Sequence, residues 1–144
     1  MAAKQTTERL FYTTEFDSLF MQGLCHLHAD SLTLAQESFK KCQKLESKSA
    51  VVAYQLANIS AMKRDTTTAI KLLKKAVRYN KSNYFYYSTL AEWYTAINDY
   101  KAATKIYQTI CKKFPDKEYP LYMLSRCYLQ LGDYAKSIKT YEQL

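Results

Sequence analysis

The chain has 144 residues, a net charge of +8, and 48% hydrophobic against 24% charged residues. This length and composition can bury the core of one domain and differ from those of a disordered tail. Only two glycines and two prolines are present, which argues against β-sandwiches and small barrels because those folds need many tight turns. The sequence has no run of 18 apolar residues and hence no predicted membrane span. The composition therefore predicts a helical protein.

The N-terminal segment, residues 1–15, is predicted to be a lead-in that is helical in part. Its first eight residues lack the apolar core of a signal peptide. The four cysteines have no CxxC spacing, as expected for free thiols in a reducing compartment. These features favour a cytoplasmic protein, whereas a signal peptide upstream would place it in a bacterial periplasm or cell envelope.

An internal repeat with a period of 34 residues follows the lead-in. Its units are predicted at 16–49, 50–83, 84–117 and a shortened 118–144. Small residues recur at the eighth and twentieth places of every unit: Gly23, Ala57, Ala91 and Ser125, then Ala35, Ala69, Ala103 and Ser137. Two helices approach closely where one of them offers a small residue. The repeat therefore predicts a pair of antiparallel helices in each unit.

Turn-forming residues separate the two helices of each predicted pair. The turns are expected at 28–31, 63–66, 98–99 and 132–133, where Asp, Ser and Thr are good N-cap residues for the second helix. At the join after the third unit, Pro115 is expected to stop one helix and Asp116 to cap the next.

The third unit has the most complete pattern of large, small and aromatic residues. It consists of Tyr87, Leu90, Ala91, Tyr94, Asn98, Asp99, Tyr100, Ala103, Tyr107 and Pro115. This pattern resembles the tetratricopeptide repeat, and the resemblance extends from Phe16 to Leu144. It implies an all-α fold, a right-handed superhelical solenoid of antiparallel helix pairs, that acts as a non-catalytic scaffold for protein–protein interaction. The RNA-reading helical repeat of 35 residues is the alternative, and the uninterrupted 34-residue period argues against it.

Residues with reactive side chains are assigned to packing rather than to chemistry. Cys25, Cys42 and Cys127 stand at repeat places that other units fill with apolar residues, so they are expected to be buried. The register also predicts six core tyrosines: Tyr94, Tyr100, Tyr107, Tyr128, Tyr134 and Tyr141. The sequence has no recognisable catalytic triad, carboxylate pair or metal-ligand set, so no catalytic residue, metal or cofactor is expected.

The resemblance implies that the first helix of each unit lines a concave groove. Nine groove residues are predicted to bind a partner: Phe20, Leu24, Tyr54, Asn58, Phe85, Glu92, Tyr119, Tyr122 and Arg126. Aromatic side chains that face water suggest a protein or peptide as the partner. One subclass of the family holds acidic chaperone tails with a carboxylate clamp of Lys, Asn and Arg. Only Asn58 matches that clamp here, so such a tail is not expected to bind.

Basic residues are concentrated on the predicted second helices. The segment 63–81 alone has seven positive charges and one negative charge. This surface supports an alternative function, a helical repeat that binds nucleic acid on its convex face. Aromatic residues do not alternate with the cations there, which disfavours base stacking and hence this alternative.

The last unit stops seven residues short of the full period, so the chain is expected to be a fragment of a longer protein. Ile138, Tyr141 and Leu144 recur there at three-residue spacing and form an apolar strip. Without a following helix, this strip is expected to face water, so that the last turn frays or two copies associate end to end.

Overall fold

The computed structural model describes the backbone of residues 2–144 and the side chains of residues 8–9 and 13–144. The helices are α1 (Ala2–His28), α2 (Leu32–Leu45), α3 (Ala50–Met62), α4 (Thr66–Tyr79), α5 (Tyr84–Ala96), α6 (Tyr100–Lys113), α7 (Glu118–Gln130) and α8 (Tyr134–Tyr141). Within residues 2–144 the backbone forms helices and turns but no strand. The predicted all-helical class is confirmed.

The first helix is about twice as long as the others. It continues through Phe16 without a break, so the backbone of the predicted lead-in is part of α1. The later first helices, α3, α5 and α7, begin at Ala50, Tyr84 and Glu118, which are 34 residues apart.

The chain divides into two compact units, residues 1–80 with α1–α4 and residues 81–144 with α5–α8. The core of the first unit contains Ala35, Phe39, Cys42, Val52, Leu56 and Ile59. In the second unit the buried residues include Leu90, Ala91, Ala103, Tyr107, Ile110 and Leu124. In both compact units, the two helices of each repeat therefore pack against each other through one buried face.

The small residues at the repeat's eighth place lie where helices approach most closely, as predicted. A Cβ atom at Gly23 would lie 2.7 Å from the ring of Phe39, which is itself fully buried. Ala57 and Ala91 are also fully buried. In the last repeat, the Ser137 hydroxyl donates a hydrogen bond to the Ser125 carbonyl at 2.8 Å.

The turn inside each helix pair has the same backbone geometry. The second residue after the first helix has a positive φ: Asp30 at 56°, Arg64 at 61°, Asn98 at 60° and Gly132 at 76°. The following N–H donates to the carbonyl five residues earlier, as from Asp65 to Ser60 at 2.9 Å and from Asp133 to Tyr128 at 3.0 Å. This is the Schellman ending of a helix, in which a left-handed residue reverses the chain.

Aspartates begin most of the second helices, as the sequence predicts. Asp65, Asp99 and Asp133 each accept a hydrogen bond from the backbone N–H three residues later. The prediction for Asp116 is wrong, because Lys117 occupies the N-cap position of α7 and its side chain makes no cap hydrogen bond. Three residues follow the end of α6 before Lys117, which leaves Asp116 one position too early.

Three residues assigned to the core are exposed instead. Cys25 is exposed, whereas Ile59 at the same repeat place is fully buried. Ile59 packs on the preceding α2, and α1 has no such helix before it in the described chain. Tyr134 and Tyr141 are likewise exposed, and they lie on or at the end of α8, the last helix of the described residues. The other predicted core tyrosines are buried or half-buried.

Candidate functional site

The four groove residues predicted in the first compact unit, residues 1–80, are only half-exposed. Phe20 and Leu24 pack against the hydrophobic core, and the Phe20 ring meets the Phe39 ring edge-on at 5.4 Å. Tyr54 and Asn58, on α3, are half-buried. In this unit the predicted groove residues therefore contribute to packing as well as to the surface.

The five groove residues predicted in the second unit are all exposed. Phe85 is 56% exposed, Tyr119 is 50% and Tyr122 is 41%, and the charged residues Glu92 and Arg126 are exposed beside them in the register. We call these five residues the α5–α7 face. Exposed apolar side chains that group together mark interaction sites more often than singly scattered ones do.

Helical spacing explains why these side chains share a direction. Phe85 and Glu92 are seven residues apart on α5, and Tyr119 and Arg126 are seven apart on α7, so each pair lies on one side of its helix. The opposite sides of the two helices carry buried residues: Tyr87, Leu90 and Ala91 on α5, and Leu124 and Cys127 on α7. The α5–α7 face is thus the side of these two helices that does not contribute to the core.

The charges of the face act on one another. Partial burial, followed by the Glu92 carboxylate, raises the pKa of the Tyr119 hydroxyl, and the Arg126 guanidinium lowers that pKa. The Arg126 guanidinium also lies over the Tyr122 ring, 5.8 Å from its centre, in a cation–π arrangement. Four of the five residues, Glu92, Tyr119, Tyr122 and Arg126, therefore lie close enough to interact with one another.

The groove residues predicted from the sequence do not include two supporting residues. Ser88, buried on α5, donates a hydrogen bond to Glu92 Oε1 at 3.2 Å and so orients the carboxylate. Asn83 caps α5 by accepting from the N–H groups of Phe85 and Tyr86. Ser88 stands at the same repeat place as Tyr122, so the 34-residue register indicates that it belongs with the groove residues.

Two clefts adjoin this face within the second unit. One, of ≈ 140 Å³, is lined by Thr95, Tyr100, Met123, Arg126, Cys127 and Gln130. The other, of ≈ 320 Å³, is lined by Tyr122, Ser125, Arg126, Leu129, Ser137, Ile138, Tyr141 and Glu142. Tyr122 and Arg126 thus belong both to the α5–α7 face and to the larger cleft beside α8.

The basic residues lie exposed on the second helices, with a cleft among them in the first unit. Lys48, Arg78 and Tyr79 line this cleft of ≈ 490 Å³. The Arg78 guanidinium lies 5.8 Å from the centre of the Tyr79 ring. Tyr79 is thus one aromatic residue among the cations.

Where side chains are described, no three His, Cys, Asp or Glu residues are grouped as a metal ion requires. The described helices also include none with the length and apolar character needed to cross a bilayer.

Comparison with known proteins identifies the fold. Residues 95–144 match the tetratricopeptide repeat family. A crystal structure of a tetratricopeptide repeat protein from Parabacteroides merdae is similar at a TM-score of 0.80 and 19% identity, over 91% of this chain and 52% of that one. This is the tetratricopeptide repeat fold. The resemblance inferred from the sequence is confirmed.

Two further tetratricopeptide repeat structures were determined for proteins that bind peptides. YrrB, described as having an unusual peptide-binding site, is similar at a TM-score of 0.72 and 15% identity, over 91% of this chain and 71% of that one. The first tetratricopeptide repeat domain of RPAP3, bound to the HSP90 peptide SRMEEVD, is similar at 0.68 and 17% identity, over 83% of this chain and 97% of that one. No curated protein matches the sequence.

Proposed function

We propose that the protein is a non-catalytic scaffold that binds a peptide or protein partner on the first helices of its repeats, mainly at the α5–α7 face. The observation that supports this most is the exposure of Phe85, Tyr119 and Tyr122 beside Glu92 and Arg126. Tyr and Arg are the residue types that most often carry binding energy in protein interfaces. The peptide-bound RPAP3 domain and YrrB show the same fold in this role.

The face suggests an extended polypeptide with mixed chemistry. Its rings offer flat apolar surfaces, and its two charged groups, Glu92 and Arg126, have opposite signs. A bound segment would place apolar side chains on the rings, a cation near Glu92 and an anion near Arg126.

A selection from random dodecapeptides displayed on phage, followed by fluorescence anisotropy on a selected peptide, tests this proposal. The Phe85→Ala/Tyr122→Ala variant should bind the peptide at least about tenfold more weakly, the loss typical of two interface aromatics. Its melting temperature should change little because both side chains are exposed. Tyr134→Ala is the control, since Tyr134 is an exposed aromatic residue outside the face. Equal losses in the variant and the control would contradict the proposal.

The proposed partner is not an acidic chaperone tail. The clamp positions hold Phe20, Leu24, Gln55, Phe85 and Thr89 in one register and Tyr54, Asn58, Thr89, Tyr119 and Met123 in the other. Met123 is buried. The peptide SRMEEVD, seen bound to RPAP3, should therefore give no saturable binding in the same anisotropy assay. Tight binding that Asn58→Ala abolished would show that a clamp exists after all.

Nucleic acid is the competing candidate, supported by the basic cleft of Lys48, Arg78 and Tyr79. Because Arg78 already lies on the Tyr79 ring, this residue is a poor platform for a stacked base. A gel shift with single-stranded RNA should disappear by about 200 mM salt and show no sequence preference, as simple charge attraction does. A shift that persists at that salt and is lost in Arg78→Ala would favour the nucleic-acid function instead.

A further inference from the structure

The C-terminal end of the second unit carries a large apolar surface. On α8, Tyr134, Ile138 and Tyr141 are 65%, 60% and 59% exposed, and their spacing of four and then three residues puts them on one side of the helix. Leu129 and Tyr122 from α7 adjoin this side in the cleft of ≈ 320 Å³. We call these five residues the α8 strip.

The preceding repeat shows what such a strip looks like when it is covered. Tyr107 and Ile110 on α6 stand at the repeat places of Tyr141, the last residue of α8, and of Leu144, which follows that helix. Both residues on α6 are fully buried, and α7 packs against α6. The α8 strip is therefore a helix-binding surface of the same design that nothing covers in the isolated chain.

The size of the strip is that of a binding surface. At roughly 200 Å² per aromatic side chain, the exposed fractions of Tyr122, Tyr134 and Tyr141 leave on the order of 300 Å² of aromatic surface in water. Leu129 and Ile138 add to it. The largest apolar patch on a typical monomer is about 300–600 Å², and a standard interface buries about 800 Å² per partner. The strip can thus form the apolar centre of a modest interface.

The exposed face of α1 does not match this strip. Where α7 has Leu124 facing α6, α1 has the exposed Gln22, whose side chain donates to the Ser18 hydroxyl at 3.5 Å. The adjoining cleft is lined by Thr14, Glu15, Ser18, Leu19 and Gln22, four of which have a polar group at or near the end of the side chain. A head-to-tail stack would bury these polar groups against apolar side chains and is therefore unfavourable.

The cleft beside the α8 strip is self-complementary in charge. Its lining includes one cation, Arg126, and one anion, Glu142. A twofold axis through the cleft would bring Arg126 of each copy opposite Glu142 of the other, because a twofold interface pairs residue i with j and j with i. The cleft is therefore formally neutral on a chain whose net charge is +8, so this is a place where two copies can meet without strong repulsion.

We propose that two copies of this chain associate tail to tail through the α8 strip, as a twofold dimer in which Arg126 pairs with Glu142 of the other copy.

Sedimentation velocity of the full chain, from about 1 μM to about 1 mM, tests this proposal. The mass should rise with concentration to that of a dimer and no further. Ile138→Lys should weaken the association at least tenfold while keeping the melting temperature. Ile97→Lys is the matched control, because Ile97 is an exposed isoleucine of the same unit outside the strip. A chain that stays monomeric, grows beyond a dimer or responds equally to both substitutions would overturn the proposal.

A charge exchange tests the twofold symmetry itself. Arg126→Glu and Glu142→Arg should each prevent dimerisation, since each variant places like charges opposite one another twice. An equimolar mixture of the two variants should dimerise again, because opposite charges then face each other at both positions. Failure of the mixture to associate, with both variants folded by circular dichroism, would overturn the twofold pairing.

Discussion

At the scale of single residues, Tyr107 shows that a core position can require an aromatic ring without requiring its hydroxyl group. Its side chain is fully buried, and its hydroxyl has no hydrogen-bond partner among the described residues. Burial raises the pKa of this hydroxyl, and the neighbouring Thr95 opposes that rise only in part. Thr95 donates its own hydroxyl hydrogen to the Ala91 carbonyl at 2.9 Å. The aromatic ring at this repeat place is needed for packing, whereas its hydroxyl is not.

The first prediction is that Tyr107→Phe stabilises the protein. Removing a buried, unpartnered hydroxyl avoids its desolvation cost and should raise the free energy of unfolding by about 1 kcal/mol. Urea unfolding followed by circular dichroism measures the change.

Tyr128→Phe is the control for this prediction, because the Tyr128 hydroxyl accepts a hydrogen bond from Gln108 Nε2 at 2.7 Å. That substitution should lower stability slightly. If Tyr107→Phe lowered stability as well, the Tyr107 hydroxyl would have to donate to the Thr95 oxygen.

At the scale of helices and turns, the sequence predicts where the chain reverses but not how. Gly132 is the one glycine among the four left-handed turn positions, and the others are Asp30, Arg64 and Asn98. Asp and Asn tolerate this conformation better than other side chains do, whereas an arginine gives no local signal for it. Only the 34-residue register, which aligns Arg64 with Gly132, identifies that position.

The second prediction follows from this alignment: Arg64→Gly should stabilise the protein. Arg64 has a φ of 61° and is exposed. Glycine adopts that conformation without strain, although it also gains freedom in the unfolded chain, so the net gain should be roughly 0.5–1 kcal/mol.

The reverse change, Gly132→Ala, should destabilise the protein. No heavy atom lies within 4 Å of a Cβ atom built at Gly132, so any loss comes from the backbone conformation alone. Urea unfolding of both variants is the measurement. A loss of stability in Arg64→Gly would show that the arginine side chain contributes more than the turn strain costs.

The third prediction concerns pH and the cap of α4. Hydrogen bonds from Thr68 hold the pKa of Asp65 below its ordinary value of 3.8. A carboxyl with a lowered folded-state pKa stabilises the protein above its unfolded-state pKa, and this contribution is lost as pH falls through the folded-state value. Asp65→Ala should therefore lower the melting temperature at neutral pH, and the difference from the parent should shrink below about pH 3.8.

Thermal melts of the parent, Asp65→Ala and Asp65→Asn provide the measurement. Asn keeps an oxygen that can accept from the Thr68 N–H but carries no charge, so Asp65→Asn should lie between the other two at neutral pH. A difference between Asp65→Ala and the parent that stays constant down to pH 2 would contradict a role for the ionised carboxylate.

At the scale of the whole molecule, the repeat predicts a residue's place but not its exposure. Phe20 and Tyr122 hold the same place in their units, yet Phe20 packs on Phe39 and Tyr122 is exposed. Exposure depends on which neighbouring helix covers the place, and this varies between units. Cys25 and Tyr141 fail as predicted core residues for that reason: they lie on α1 and α8, the first and last helices of the described residues, which each pack on a neighbour from one side only.

The fourth prediction is that a helix supplied after Leu144 stabilises the chain and keeps it monomeric. A helix designed to place apolar residues on Ile138, Tyr141 and Leu144, as α7 covers α6, would bury two or three large side chains. That burial should raise the free energy of unfolding by about 1–3 kcal/mol. The control is the same added helix with those apolar residues replaced by serine and glutamate. If the two helices gave the same melting temperature, contact with the α8 strip would contribute nothing to stability, and the strip would not be a helix-binding surface.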